Sequence, residues 1–334
     1  MPQPSSDAHV DRVLTNISIA YMQEASNFVA GKVFPIVPSA RQSDKYFTYD
    51  QADWFREEAQ LRAPSTESAG SGWSLGTDTY YCDVFAVHKD IDEQIERNAD
   101  AMIDLRADAA RWVAGQLLMK LESKFVADYF TTGIWTGAAS GNDQTGVAAA
   151  PGADQFLQWN DPASTPIEDI ETLKLEMLEQ TGKEPNTLLL GPKVGAALRR
   201  HPDILDRIKF TQRGVITDEL IGSLLGIDRV MTAKATRNTA AEGVADSYSF
   251  YYGRNALLCY AAPAPSLMEA SAGYAFAWTG YTGTSGVTGL GTGARTSVIP
   301  MPLKKSVRVE AEMTIDFKQV AADLGIFFSG AVAA

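Results

Sequence analysis

Between Asp104 and Tyr129 the apolar residues Leu105, Ala109, Val113, Leu117, Leu121, Phe125 and Tyr129 recur every four positions, and Trp112 and Leu118 widen the stripe. That spacing predicts one amphipathic helix with a single apolar face. Arg106, Arg111, Lys120, Glu122 and Lys124 fall mostly off the stripe, and Thr132-Gly133 supplies a stop. At ~1.5 Å per residue, a helix of about 27 residues spans roughly 40 Å. It is a structural spar. The cleanest periodic signal lies near the C-terminus. Val307, Val309, Ala311, Met313, Ile315 and Phe317 alternate with Arg308, Glu310, Glu312, Thr314 and Asp316, which predicts a long half-buried strand.

The segments around these two elements have distinct textures. Residues 1–45 form no self-contained unit. Val13, Ile17, Ala20 and Tyr21 could make one short helix, and GKVFPIVPSARQSDKYF is then held extended by Pro35 and Pro38. A proline-punctuated apolar strip of this kind is expected to lie on another surface rather than to pair fully in a sheet. KYFTYD and the run WSLGTDTYYCDVFAVHKDI read as two strands around a polar turn-rich stretch, Gln51 to Gly72, and so as a long hairpin. A lone hairpin is marginal in water, so its aromatic residues must dock elsewhere.

Residues 137–164 read as loop. From Thr165-Pro166 the chain alternates helix and strand: a helix ending at Gly182, the strand NTLLLGP, a helix stopped by Pro202, TDELIGSLLGIDRVMTA, then SYSFYYGRNALLCYA. Residues 165–265 therefore read as an α/β block. GYAFAWTGYTGTSGVTGLGTGAR reads mostly as loop.

Composition narrows the function. The 334 residues are 45% apolar and 21% charged, with a formal net charge of −12, which is poorly suited to reading nucleic acid by charge. The N-terminus carries no signal-peptide pattern, and no run approaches ~20 apolar residues, the length of a membrane span. The reading is a soluble protein made inside the cell. Cys82 and Cys259 have neither disulfide-framework nor zinc spacing.

Candidate chemistry is thin. GWSLG, Gly72 to Gly76, matches the GxSxG elbow with Ser74 as nucleophile, but that motif needs a strand before it and a helix after it. Here a Gly/Ser loop precedes and a strand follows. His9, His88 and His201 form no metal-ligand pair, and His201 beside Pro202 suits a helix end. GLGTG, Gly289 to Gly293, lacks the strand–helix context of a phosphate cradle. Glu57-Glu58 and Asp90, Asp92, Glu93 and Glu96 read as solvated charge. No catalytic residue, metal ligand or cofactor is assigned, and the chain is not expected to be an enzyme.

The order of parts is more informative than any motif: arm, hairpin, spar helix, α/β block, Gly-rich segment, returning strand. With GKVFPIVPSARQSDKYFTYD, TDTYYCDVFAVHKDIDEQ, RADAARWVAGQLLMKLE, PNTLLLGPKVGAALRRHPDI and SVRVEAEMTIDFKQVAADLGIFFSGA, this order resembles the major capsid protein family of tailed bacteriophages, with the Hong Kong phage fold. The resemblance implies an α+β fold with an N-terminal arm at residues 1–45 and an extended loop at 46–89. A peripheral domain at 90–164 and 295–334 would carry the spine helix, and an axial domain would occupy 165–294.

It also implies a shell subunit that assembles with copies of itself into hexamers and pentamers around double-stranded DNA, located in the virion and made in host cytoplasm. The chain starts almost at the arm, so a separate scaffolding protein is expected, together with a portal. No lysine occurs between Tyr46 and His88, so lysine crosslinking in the loop is not expected. The expected contacts between subunits are Phe34, Ile36, Val37, Tyr46, Phe47, Trp54, Phe55 and Trp73, apolar surface that a monomer cannot easily cover. The alternatives are an encapsulin-type compartment shell and, remotely, a serine hydrolase at Ser74.

Overall fold

Asp104 starts the spar where the spacing placed it. Its carboxylate accepts from the backbone N–H groups of Arg106 and Ala107, and the helix runs from Leu105 to Tyr129. The computed structural model describes residues 22–99, 104–208, 216–266, 269–283 and 292–334. The helix expected from Val13, Ile17, Ala20 and Tyr21, together with His9 and most of GLGTG, lies outside the described residues.

In chain order, α1 (Ala30–Val33) leads to β1 (Ile36–Ser39) and β2 (Ser43–Tyr49). Next come α2 (Gln51–Phe55), β3 (Leu75–Tyr81), β4 (Phe85–Asp92), α3 (Glu93–Asn98) and the spar, α4. β5 (Gln144–Val147) and β6 (Gln155–Leu157) precede α5 (Pro166–Thr181), which stops at Gly182 with φ +66°. β7 (Thr187–Leu190), α6 (Pro192–Leu198), α7 (Pro202–Ile208), α8 (Asp218–Leu225) and β8 (Arg229–Thr232) complete the helix–strand alternation. Then follow β9 (Thr236–Asn238), β10 (Tyr248–Phe250), β11 (Ala256–Cys259), β12 (Gly273–Trp278) and α9 (Thr279–Thr282). The chain ends with β13 (Ala294–Met301), β14 (Ser306–Met313), β15 (Ile315–Gln319) and β16 (Gly325–Ser329).

Among the described residues the strands make five sheets, ordered β6-β5-β16-β11-β7-β8, β13-β14-β4, β1-β12-β15, β2-β3 and β10-β9. The fold is α+β. One apolar core gathers around α4, with Phe34, Val113, Phe125, Trp135, Val309, Met313 and Phe317. A second fills the space between the six-stranded sheet and α5, with Trp159, Ile170, Met177, Leu188 and Phe328.

Several expectations change. The predicted strand 307–317 is two strands in two sheets, β14 and β15, joined at Thr314. Its polar side is not all solvated. Glu312, Thr314 and Asp316 are buried, because Arg295 and Tyr281 hold Glu312, Gly293 O accepts from Thr314, and Lys124 faces Asp316. The return run of the hairpin is likewise divided: β3 pairs with β2, whereas β4 pairs with β14. The proline-punctuated strip does pair. β1 runs parallel to β12 with Pro38 opposite Ala277, at a sheet edge where the missing N–H is harmless. Gly273–Trp278, expected as loop, is a buried strand whose small residues let it sit between β1 and β15, with Gly273 against the Phe34 ring. Pro202 opens α7 as its first residue.

The sheets also cut across the expected domain ranges. β5, β6 and β16, from ranges expected to be peripheral, are in the six-stranded sheet with β7, β8 and β11. β12, from the axial range, pairs with β1 and β15. Backbone hydrogen bonding between segments distant in sequence decides this.

Glu122 departs furthest from its expected place. It lies on the covered side of α4 with no exposed surface. Its Oε1 accepts from the N–H of Val29 at 2.5 Å and of Ala30 at 2.8 Å, and the Tyr252 hydroxyl donates to Oε2. The carboxylate thus serves the first turn of α1, whose N–H groups have no partners within the helix.

Candidate assembly surface

The feature that projects is the β2–β3 hairpin. Its ladder pairs Ser43 with Tyr81 through Tyr49 with Leu75. At the root, Tyr80 stacks on Phe276 of β12, with ring centroids 4.3 Å apart, and Tyr46 stacks on the same ring at 5.5 Å. The Tyr80 hydroxyl is 2.6 Å from Ser39 Oγ, and the Tyr81 N–H donates to Asp316 Oδ2 at 3.2 Å. Lys124 of α4 balances that carboxylate from 3.4 Å. The root is therefore fastened by stacking, hydrogen bonding and an ion pair together.

Beyond Tyr46 the large apolar side chains of the hairpin are exposed. Tyr49 meets Trp54 edge-on at 6.0 Å, and Trp54 lies 5.9 Å from Trp73. Asp50 caps α2 by accepting from the Ala52 N–H. Asp53 Oδ2 accepts from the Ser74 N–H at 2.8 Å and the Ser74 hydroxyl at 2.6 Å, which closes the loop across its base. These bonds hold the Asp53 carboxyl below the usual carboxylate range. The result is a preformed aromatic cluster on a fixed root.

The eight expected contact residues divide. Phe34 is buried, its ring against Phe125, Tyr129 and Trp135. Ile36 packs on the α4 core, and Val37 and Tyr46 on the small cluster at the hairpin root. These four find their partners within their own chain. Parallel pairing with β12 gives the extended strip its partner within the chain. Phe47, Trp54, Phe55 and Trp73 remain 59%, 50%, 57% and 66% exposed. Tyr49, Leu61, Leu75 and Tyr81 of the same hairpin are also exposed, as are Val298 and Ile299 of β13 and Leu303 in the turn that follows it.

Sequence reading missed Glu122 and Asp316 as fasteners. A signal existed for Glu122: it stands four residues after Leu118 and three before Phe125, in the second column of the apolar stripe. For Asp316 none did, because its place depends on the bend at Thr314.

The chemical candidates resolve into structural roles. Ser74 donates to Asp53 and is followed by β3, a strand where the elbow needs a helix. His201 is buried. Its Nδ1 accepts from the Asp203 N–H at 3.2 Å, which leaves Nε2–H to face Asp161 O and Ser164 Oγ, each at 3.0 Å. It pins a loop to the start of α7. Asp90 binds Arg308 through two oxygens, Asp92 caps α3, Glu93 pairs with Arg97, and Glu96 with Arg106. Burial pushes the Cys82 thiol up to about 11 and the Cys259 thiol up to about 12, so both stay protonated at neutral pH. Among the described residues no group of His, Cys, Asp and Glu could hold a metal ion, and no helix is long and apolar enough to cross a membrane.

No family model matches the sequence. The chain is 27% identical over 332 residues to the major capsid protein of Pseudomonas phage JBD67, which spans 97% of this chain and 98% of that one. It is 22% identical over 253 residues to the major capsid protein of Burkholderia phage BcepMu, covering 75% and 76% of the two chains. Among solved structures, a phage-related protein from Bordetella bronchiseptica superposes with a TM-score of 0.66 at 20% identity, covering 93% of this chain and 94% of the other. The mature capsid of bacteriophage PhiM1 gives 0.61 at 12% identity, covering 96% and 91%. The SrpI encapsulin of Synechococcus elongatus gives 0.55 at 14% identity, covering 95% and 93%.

Proposed function

We infer, from a chain that carries the phage major capsid fold along nearly its whole length, that it is a major capsid protein, the subunit of a phage head. The observation that carries this reading is the likeness to a phage major capsid protein over 97% of the chain. The fold supplies the physical reason. Phe47, Trp54, Phe55 and Trp73 stand exposed around a hairpin whose root is fixed, so binding a neighbouring copy covers apolar surface without first ordering the segment that makes the contact. A self-complementary set of modest contacts, repeated by symmetry, closes a shell of high overall stability.

In this reading the subunits form hexamers and pentamers of an icosahedral shell around double-stranded DNA, with a separate scaffolding protein and a portal. The arm, extended loop, peripheral and axial regions keep the roles the resemblance implies. The shell is located in the virion, and its subunit is made in host cytoplasm. Contacts between copies are noncovalent in this reading, and no lysine lies in the loop between Tyr46 and His88. The role is structural, with no catalytic step. A net charge of −12 lets the shell enclose DNA without adhering to it.

An encapsulin-type compartment is the second reading, favoured by the superposition on the SrpI encapsulin. The two curated relatives, both phage capsid proteins, weigh for the head. Electron microscopy of the purified protein, alone and with a candidate scaffold, tests the assignment. Shells or capsomer rings are expected, and uniform monomers at high concentration would overturn it.

A further inference from the structure

The far end of the hairpin also touches its own subunit, at the C-terminal end of α5. Gln51 Nε2, at the start of α2, donates to the carbonyl of Gln180 at 2.5 Å. That carbonyl belongs to the last turn of α5, where helix acceptors have no internal partner. A few residues on, the Phe55 ring lies over Gly182, so closely that a Cβ there would come within 3.2 Å of it. Gly182 is the left-handed cap of α5, and its lack of a side chain leaves the ring a place to rest.

We propose that this contact parks α2 against its own α5 in the unassembled subunit and must open before the hairpin's outer end engages another copy. The proposal rests on the assembly role inferred above. The contact is built to be reversible. It consists of one hydrogen bond and part of one ring, and Phe55 keeps 57% of its surface exposed while docked. The root differs on every count: Tyr80 is stacked and buried, Cys82 is buried, and Asp316 and Lys124 hold the strand. What opens is therefore α2 with the loop 56–74, pivoting beyond the β2–β3 ladder while the root stays seated.

Substituting the parking surface while leaving the outer hairpin intact tests this. Gly182→Asn tolerates the left-handed backbone and places a side chain under the Phe55 ring. Gln51→Ala removes the hydrogen bond by a second route. Trypsin cleavage after Arg56, compared with cleavage after Arg62 further out in the same loop, reports release of α2 in the free subunit. The ratio is expected to rise about threefold to tenfold in either variant, the change that loss of one hydrogen bond brings. Scaffold-directed assembly, followed by light scattering, is expected to begin sooner. An unchanged ratio in both variants would overturn the parking contact, and unchanged or slower assembly with a raised ratio would overturn its restraining role. Failure of the wild-type chain to form shells would count against the capsid reading, and the trypsin ratio would still decide whether the contact holds α2.

Discussion

Tyr80 and Phe276 lie face to face, ring centroids 4.3 Å apart and planes within 2°. One belongs to the projecting hairpin and the other to the sheet beside the spar, so this stack joins the part of the molecule that reaches outward to the part that stays put. Cys82 packs in the same cluster, its thiol 3.4 Å from the Phe276 carbonyl.

Tyr80→Ala is expected to lower subunit stability by about 3 kcal/mol, the low end for deleting a buried aromatic ring. Tyr80→Phe keeps the stack and loses only the bond to Ser39, at a cost of about 1 kcal/mol. Urea unfolding of the two variants beside the wild type measures both, and equal losses would contradict the importance of the stack.

Asp316 connects the Tyr81 N–H to Lys124 and, at 3.8 Å, to Lys318. Asp316→Ala removes one of the two carboxylates that face Lys124, Asp128 remaining at 3.7 Å, and leaves the Tyr81 N–H without its acceptor, at an expected cost of about 2 kcal/mol. Asp316→Asn can still accept from Tyr81 and should retain part of that stability. Hydrogen exchange at Tyr81, expected to be fastest in the alanine variant, separates these outcomes.

Burial raises the Glu122 carboxyl above its ordinary value, and its hydrogen bonds with Tyr252, Ala30 and Val29 pull against that rise. A carboxyl whose folded value exceeds its unfolded one binds its proton more tightly in the fold. Its contribution to stability therefore falls as pH rises from the ordinary carboxylate value through the raised one. Glu122→Gln cannot titrate and keeps an acceptor for Val29 and Ala30. The stability of the wild type relative to this variant should decline as pH increases across that window. Glu122→Leu leaves the two N–H groups and the Tyr252 hydroxyl unpaired and should destabilise at every pH by about 3 kcal/mol or more. Chemical denaturation across a pH series checks the direction.

Deleting residues 52–72 removes Trp54, Phe55 and the exposed loop but spares the root. The truncated subunit is expected to fold with near-native circular dichroism and to form no closed shells. Trp54→Ala with Trp73→Ala should act the same way more mildly. Shell yield by electron microscopy is the readout, and a wild-type yield from the deletion would refute the role assigned to the hairpin.

Local patterns were legible where one stretch of chain carries its own partners. The spar, the cap at Asp104 and the α5 stop at Gly182 all follow from spacing and capping chemistry within a few residues. The eight residues read as apolar contact surface divide by burial. Phe47, Trp54, Phe55 and Trp73 are exposed, whereas Phe34, Ile36, Val37 and Tyr46 pack within their own chain. Nothing local distinguishes the two groups, because all are apolar residues whose burial depends on partners far along the chain.

By itself the sequence determined the spar, its cap at Asp104 and the stop of α5 at Gly182, since those rest on side chains within a turn or two of one another. In contrast, β5, β6 and β12 lie in stretches that read as loop. Tertiary structure alone decided that Thr314 divides one alternating run between two sheets, that β16 crosses into the sheet of β7 and β11, and that Glu122 faces inward. Each of these depends on a hydrogen-bond partner scores of residues away. A buried carboxylate or a switched strand is stable only once that partner has arrived.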